Sequence, residues 1–136
     1  MVAREPLILA FDLGGSGLRA ALIDPAGDFA ARHAIALEAP GGAGAQCDPE
    51  LWWRALRAGA EALAATAPRE FAATGAVAIS GMTRCNVFVD ARGASLRDAI
   101  LWTDTRAGSE AAALAAAAGD HPEAAQINAF HPLARL

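Results

Sequence analysis

Asp12 ends a short apolar run. Gly14, Gly15, Ser16 and Gly17 follow, and Arg19 stands early in the next apolar run, so that a carboxylate, a glycine-rich backbone, a hydroxyl and a guanidinium fall between residues 12 and 19. Glycines carry no Cβ to keep an anion away, and a turn of exposed backbone N–H groups makes a concavity suited to phosphate. A carboxylate at its edge would repel bare phosphate, but it belongs there if a divalent cation such as Mg2+, with its water shell, lies between the two. Ser16 adds a hydroxyl, and Arg19 brings positive charge for phosphate oxygens. A glycine turn beside a solvated aspartate, with no ligand at all, explains the same local features. Two familiar phosphate loops are excluded. GGSG is not GxxxxGK followed by Ser or Thr and has no lysine nearby, and it is not GxGxxG because a strand, not a helix, comes next.

The elements that must position this turn are legible from patterning. Leu7 to Asp12, Leu18 to Asp24 and Phe29 to Leu37 read as three strands with close connections, the second connection being Pro25-Ala26-Gly27-Asp28. Such short links make an antiparallel meander. After a Gly- and Ala-rich loop from Glu38 to Cys47, Asp48 reads as a helix N-cap with Pro49 at the first helical position. Trp52, Leu56, Ala60 and Leu63 recur at helical spacing, Gly59 weakens the helix slightly, and Pro68 ends it. At least one of Trp52 and Trp53 is expected in the core. Gly75 to Ser80 is a nearly continuous apolar run, the pattern of an interior strand covered on both faces. Cys85 to Asp90 and Ala99 to Thr103 read as two more strands around the turn Ala91-Arg92-Gly93. Asp104 to Ala118 reads as a helix, and the weakly patterned end holds one short helix at most. The expected fold class is α/β with a mixed sheet built on a three-strand antiparallel meander.

Composition narrows the class of function. The 136 residues, 54% hydrophobic and 19% charged with net charge −4, suit a folded domain. With no Lys/Arg cluster, a nucleic-acid partner lacks its electrostatic footprint. No apolar run reaches the roughly 18 residues of a membrane helix, and the start lacks a signal peptide's long apolar region, so a cytoplasmic location is expected. Cys47 and Cys85 form no CxxC, and His33, His121 and His131 have no ligand spacing, which argues against a structural metal or a disulfide scaffold.

DLGGSGLRAALID resembles the first phosphate motif of the sugar-kinase, Hsp70 and actin superfamily, whose core is ribonuclease-H-like. Three later segments, CDPELWW, AISGMTRCNVFVD and AILWTDTRA, resemble in order and spacing the N-terminal region of the FGGY carbohydrate kinases, among them xylulokinase and glycerol kinase. The likeness runs from about Leu7 to Ala118. It implies an actin-like ATPase domain and ATP-dependent phosphorylation of a sugar or polyol hydroxyl, with ATP and Mg2+ as cofactors. A ROK-type glucokinase shares the first motif but not CDPELWW and ILWTDTR. A non-enzymatic homologue kept for ligand or partner binding is the alternative of another class.

Carried over residue by residue, the resemblance gives Asp12 the Mg2+. It sets Gly14, Gly15, Ser16 and Gly17 against the terminal phosphates and gives Arg19 the usual basic position. The family motif more often reads D-x-G-T, so Gly15 replaces a common threonine. The sugar-facing pair falls on Thr83 and Arg84, which match neither the Met-His of xylulokinases nor the Arg-Glu of glycerol kinases, so the acceptor is not fixed. A Thr hydroxyl and an Arg fork both suit a polyol or a sugar acid. A surface ion-pair partner is the alternative reading of Arg84. Trp102, Asp104 and Arg106 match W-x-D-x-R. There Asp104 accepts from sugar hydroxyls or caps a helix, Arg106 braces Asp104 or the cleft wall, and Trp102 packs under the sugar or in the core.

No catalytic residue is assigned in this chain, because the family's base aspartate and second glycine-rich phosphate segment match nothing here. Residues 1–136 are expected to be the N-terminal portion of domain I, with the rest of domain I and all of domain II absent and no turnover by the isolated chain. The acceptor and the oligomeric state, a homo-oligomer included, stay open. Phe130 and Leu133 would cover the sheet in a standalone module.

Overall fold

The computed structural model describes residues 5–38, 45–122 and 124–127, and divides into two compact units, Met1–Ala39 with Glu50–Met82 and Pro40–Pro49 with Thr83–Leu136. Phe130 and Leu133 lie outside the described residues, as does most of the loop between Glu38 and Cys47.

In the first unit β1 (Leu7–Leu13), β2 (Gly17–Ile23) and β3 (Phe29–Ala36) form the expected antiparallel meander. Its second turn is held by Asp24, whose Oδ1 accepts from the amides of Ala26 and Asp28 at 2.9 Å each, with Gly27 at φ 93°. An aspartate that bonds its own turn and a glycine at positive φ are what such a tight reversal requires.

Strand alternation sends Leu9 and Phe11 of β1 and Leu18, Ala20 and Leu22 of β2 to one face. There they join Ala55 and Leu63 of α1 (Glu50–Thr66) in the core. The helix begins at Glu50, one residue later than its sequence signals suggest. Its buried stripe is Ala55, Gly59 and Leu63, while Trp52 is half-buried and Trp53 is 58% exposed. Small residues face the sheet because the helix lies close to it. A Cβ at Gly59 would stand 3.1 Å from Ala20 Cβ and 3.3 Å from Leu18 Cδ2. A one-turn helix α2 (Pro68–Phe71) follows Pro68, which starts it with the missing N–H where none is needed.

The strand β5 (Thr74–Gly81) departs from expectation. It pairs parallel with β1 and gives the order β3-β2-β1-β5, so the sheet is mixed as predicted, yet among the described residues β5 is its edge and not an interior strand. Val77 and Ile79 are 61% and 62% exposed. They fall in register with Leu9 and Phe11, on the face that α1 covers further along over β2 and β3, but nothing among the described residues covers them. An apolar run shows that a strand can be buried, not that it is. Proteins blunt such edges with charge or proline, and TGAVAISG has neither. Ile79→Lys is therefore expected to raise the concentration at which the chain stays monodisperse by size-exclusion chromatography with light scattering. Unfolding free energy should move by no more than about 0.5 kcal/mol, as for an exposed site.

In the second unit β4 (Gln46–Cys47) and β6 (Ala99–Ile100) make a two-residue antiparallel pair. Cys85 to Asp90 is not a continuous strand. It is joined to its neighbours by single bridges, Asn86 with Ile100 and Val89 with Ser95. The turn at Ala91-Arg92-Gly93 is present, since Asp90 Oδ1 accepts from the amides of Arg92 and Ala94 and Gly93 has φ 82°. Arg97 lies 5.5 Å over the Phe88 ring and donates to Gln46 Oε1 at 2.9 Å. The last long helix, α3 (Gly108–Ala118), starts four residues after Asp104 and ends at Gly119 with φ 52°. A short 3-10 turn, Ala124–Gln126, packs Ile127 toward Ala107 and Ala111.

Candidate functional site

The glycine turn is closed by its own backbone. Gly14 N–H donates to Gly17 O at 2.8 Å, and Leu37 N–H donates to Ser16 O at 3.0 Å, tying the turn to the chain leaving β3. These bonds engage the Gly14 amide and leave the Gly15 and Ser16 amides to whatever meets the turn from outside. Gly17 sits where β2 begins, and a Cβ there would stand 2.8 Å from the carbonyl oxygen of Ile35, so only glycine fits. Gly15 is open, its Cβ position 3.8 Å from Met82 Sδ.

Asp12 and Arg19 face each other across β1 and β2, and Arg19 Nη1 donates to Asp12 Oδ2 at 3.0 Å. The two side chains are 55% and 79% exposed, so this is a solvated pair beside the turn. Sequence reading placed both residues near phosphate without foreseeing that they would bond each other. It also overlooked Ser80, which lies in register with Asp12 across the parallel β1–β5 pairing, and Met82 just beyond it. The usable signal was topological. Two parallel strands end on the same side, and open α/β sheets bind ligands outside carboxyl strand ends.

One exposed carboxylate, a hydroxyl, two available amides and a guanidinium are a donor set that fits a polyphosphate whose magnesium keeps most of its waters. A dehydrated cation would require more oxygens, and among the described residues no group of three or more His, Cys, Asp or Glu side chains is placed to hold a metal.

The second unit gathers the other candidates. The Asn86–Ile100 bridge is antiparallel, so Thr83 and Arg84, just before Asn86, share one end of it with Trp102 and Asp104, just after Ile100. Thr83 and Arg84 are exposed, and Arg84 has φ 62°, a left-handed conformation that costs a non-glycine residue about 1 kcal/mol or more. Trp102 is 48% exposed, which settles against simple core burial. Asp104 is fully buried. Its Oδ1 accepts from the Arg106 amide at 2.9 Å, and its Oδ2 accepts from Arg106 Nε at 2.8 Å and from Nη2. This is an Asx turn locked by a guanidinium fork and not a helix cap, because α3 begins beyond it with Ala107 at the cap position. The carboxylate therefore shapes the Trp102 loop.

Cys47, half-buried in β4, has its thiol pushed above the ordinary range by burial and then by Cys85, Asp98 and Asp48. The folded state favours the neutral thiol, so its contribution to stability is complete below the ordinary thiol value of about 8.5 and is lost as pH rises through the higher folded value. The chain has no lysine and no tyrosine, which removes two of the residue types that titrate at alkaline pH. Between pH 7.5 and 10 the melting temperature is expected to fall more steeply in wild type than in Cys47→Ala, by scanning calorimetry.

Comparisons with known proteins bear on what this arrangement does. The family described as the FGGY family of carbohydrate kinases, N-terminal domain, matches residues 7–131. A xylulose kinase of Streptomyces coelicolor is 35% identical over 112 residues, covering 80% of this chain and 22% of that protein. Among solved structures, a xyloylose kinase from Brucella ovis superposes with TM-score 0.76 at 38% identity, covering 82% of this chain and 24% of that one. The xylulose kinase from Rhodospirillum rubrum does so with TM-score 0.75 at 29% identity, covering 82% and 23%. The chain thus spans about a fifth of the length of the curated relatives it matches. No helix among the described residues is long and apolar enough to cross a membrane.

Proposed function

The chain belongs to the FGGY family of carbohydrate kinases, with their actin-like α/β fold, and from that premise we propose that it supplies the phosphate-tail site and part of the acceptor site of an ATP-dependent kinase acting on a sugar or polyol hydroxyl. The observation that carries the reading is the turn between β1 and β2, closed by glycines and flanked by one exposed carboxylate and one guanidinium.

In this reading Asp12 would hold Mg2+, and the metal, when bound, would supply positive charge that neutralises the phosphates. The Gly15 and Ser16 amides and the Ser16 hydroxyl bond the terminal phosphate oxygens, while Gly14 and Gly17 fix the backbone that presents them. Arg19 adds a charge-assisted bond to the same oxygens. Phosphoryl transfer depends mostly on such positioning and charge stabilisation. In the second unit Thr83, Arg84 and Trp102 contact the acceptor, Trp102 offering an apolar wall to a sugar's C–H face. Asp104 and Arg106 hold that wall in place. No residue here is assigned as the base that takes the acceptor's proton.

The test has two arms. Nuclear magnetic resonance of the 136-residue chain, titrated with ATP and Mg2+, is expected to move the Gly15 and Ser16 amides first. An acceptor screen on a full-length protein carrying this sequence, using ketoses, polyols and aldonic acids, is expected to give ADP with at least one of them, and Trp102→Ala is expected to raise its KM. The isolated chain is expected to show no turnover. Unmoved turn amides at saturating nucleotide would defeat the phosphate reading, and unchanged KM in Trp102→Ala would remove the wall.

A further inference from the structure

Asp12 is expected to face a cation, yet its carboxylate already has one. Arg19 Nη1 bonds it at 3.0 Å from the directly opposed position on β2. Resting on the phosphate-tail reading above, we propose that the pair is a partner-exchange device. Arg19 serves as the resident counter-ion of Asp12 and passes to the phosphate oxygens when a magnesium-bearing polyphosphate arrives, leaving the carboxylate to the metal's water shell.

Three observations carry this. First, the pair is exposed on both sides, so the bond is weak and its partners are free to re-orient in water. Second, the backbone beside it is fixed by the Gly14–Gly17 and Leu37–Ser16 hydrogen bonds and by the strand pairing. A ligand therefore finds the two side chains, not the turn, as the part that adapts. Third, the charges are balanced in the resting state. A free divalent cation meets a carboxylate already neutralised, and a free polyphosphate meets a guanidinium already engaged, with a carboxylate beside it. Only the complex offers each side chain a replacement partner. Metal and polyphosphate are thereby coupled, each raising the affinity for the other by the same factor.

A structural salt bridge and an exchange device predict different mutants. Removing Arg19 frees Asp12, so Arg19→Met is expected to bind Mn2+ alone tighter than wild type, by a factor of about two to five, the range an exposed pair commands. It should bind tripolyphosphate alone more weakly. Asp12→Asn frees Arg19 and should do the opposite with each ligand. In both variants the coupling between the two ligands is expected to shrink, and Arg19→Lys is expected to keep it.

The measurements are Mn2+ binding by electron paramagnetic resonance and tripolyphosphate binding by calorimetry, each alone and then together with Mg2+, on the full 136-residue chain and these variants. Turn amide resonances serve as the check on folding. The crossover supports the exchange. If Arg19→Met binds Mn2+ no tighter, or Asp12→Asn binds tripolyphosphate no tighter, while the turn amides still respond in wild type, the exchange is wrong and the phosphate-tail reading stands. If the wild-type amides do not respond to magnesium tripolyphosphate, both fall together.

Discussion

Leu63→Ala is expected to lower the unfolding free energy of the first unit by about 2–5 kcal/mol, measured by urea titration followed in the far-ultraviolet circular dichroism of the helices. Leu63 has no exposed surface and packs into the cluster of Leu9, Phe11, Leu18, Leu22 and Ala55, where α1 meets β1 and β2. Truncation removes its transfer energy and leaves a hole that a tightly apposed helix cannot collapse around, because Gly59 already brings the two layers to contact distance. For a domain of ordinary stability, about 5–15 kcal/mol, the loss is a large share of the total. Trp53→Ala provides the contrast. The larger side chain is 58% exposed, and its removal should change stability by no more than about 0.5 kcal/mol. A Leu63→Ala loss below about 1 kcal/mol would mean that α1 is not docked on the sheet.

That pair of residues shows where the sequence is readable and where it stops. Trp52, Leu56, Ala60 and Leu63 do mark the helix, but the face that docks is turned toward Ala55, Gly59 and Leu63. Side-chain size makes the tryptophans conspicuous in the sequence. Close approach instead selects the small residues, and the distance between layers cannot be read from spacing. The meander was legible because short turns leave neighbouring strands little choice but to pair, and Asp24 and Gly27 announce one of those turns. By contrast β5 reads as interior yet lies at the sheet's edge among the described residues, because an apolar pattern is local whereas cover is a property of what lies beside it. The strand expected from Cys85 to Asp90 has the right residue types but meets partners only at isolated bridges.

The site divides the same way. Asp12, Gly14 to Gly17 and Arg19 are contiguous, so one turn must bring them together. Thr83, Arg84, Trp102 and Asp104 are brought near one another by the pairing of Asn86 with Ile100, and only the family resemblance grouped them beforehand. The resemblance anticipated that Arg106 would brace Asp104, and the structure shows it doing so on both oxygens. Nothing anticipated that Arg19 would bond Asp12, since that pairing depends on register and rotamer.

Gly17→Ala is expected to damage fold and binding together, which makes it the sharpest test of how the turn works. The added carbon would stand 2.8 Å from the Ile35 carbonyl oxygen, a backbone atom that cannot swing aside. Either β3 gives way at its pairing with the start of β2, or the turn opens and loses the bond from Gly14 N–H to Gly17 O. The expected cost is about 1–3 kcal/mol of stability, typical of forced contacts. The expected loss for magnesium tripolyphosphate is about tenfold or more in Kd, equivalent to about 1.4 kcal/mol. Gly15→Ala separates sterics from chemistry. Its Cβ would meet only Met82 Sδ at an ordinary 3.8 Å, so stability should hold or rise by about 0.4–1 kcal/mol as the unfolded chain loses freedom. Gly15→Thr, which restores the hydroxyl that related motifs often carry here, should bind at least as tightly as wild type. Gly27→Ala, with no atom within 4 Å but φ 93°, should cost conformational strain alone and leave binding untouched. If Gly17→Ala binds like wild type while Gly15→Ala does not, the anion is held by something other than a backbone that only glycine can close.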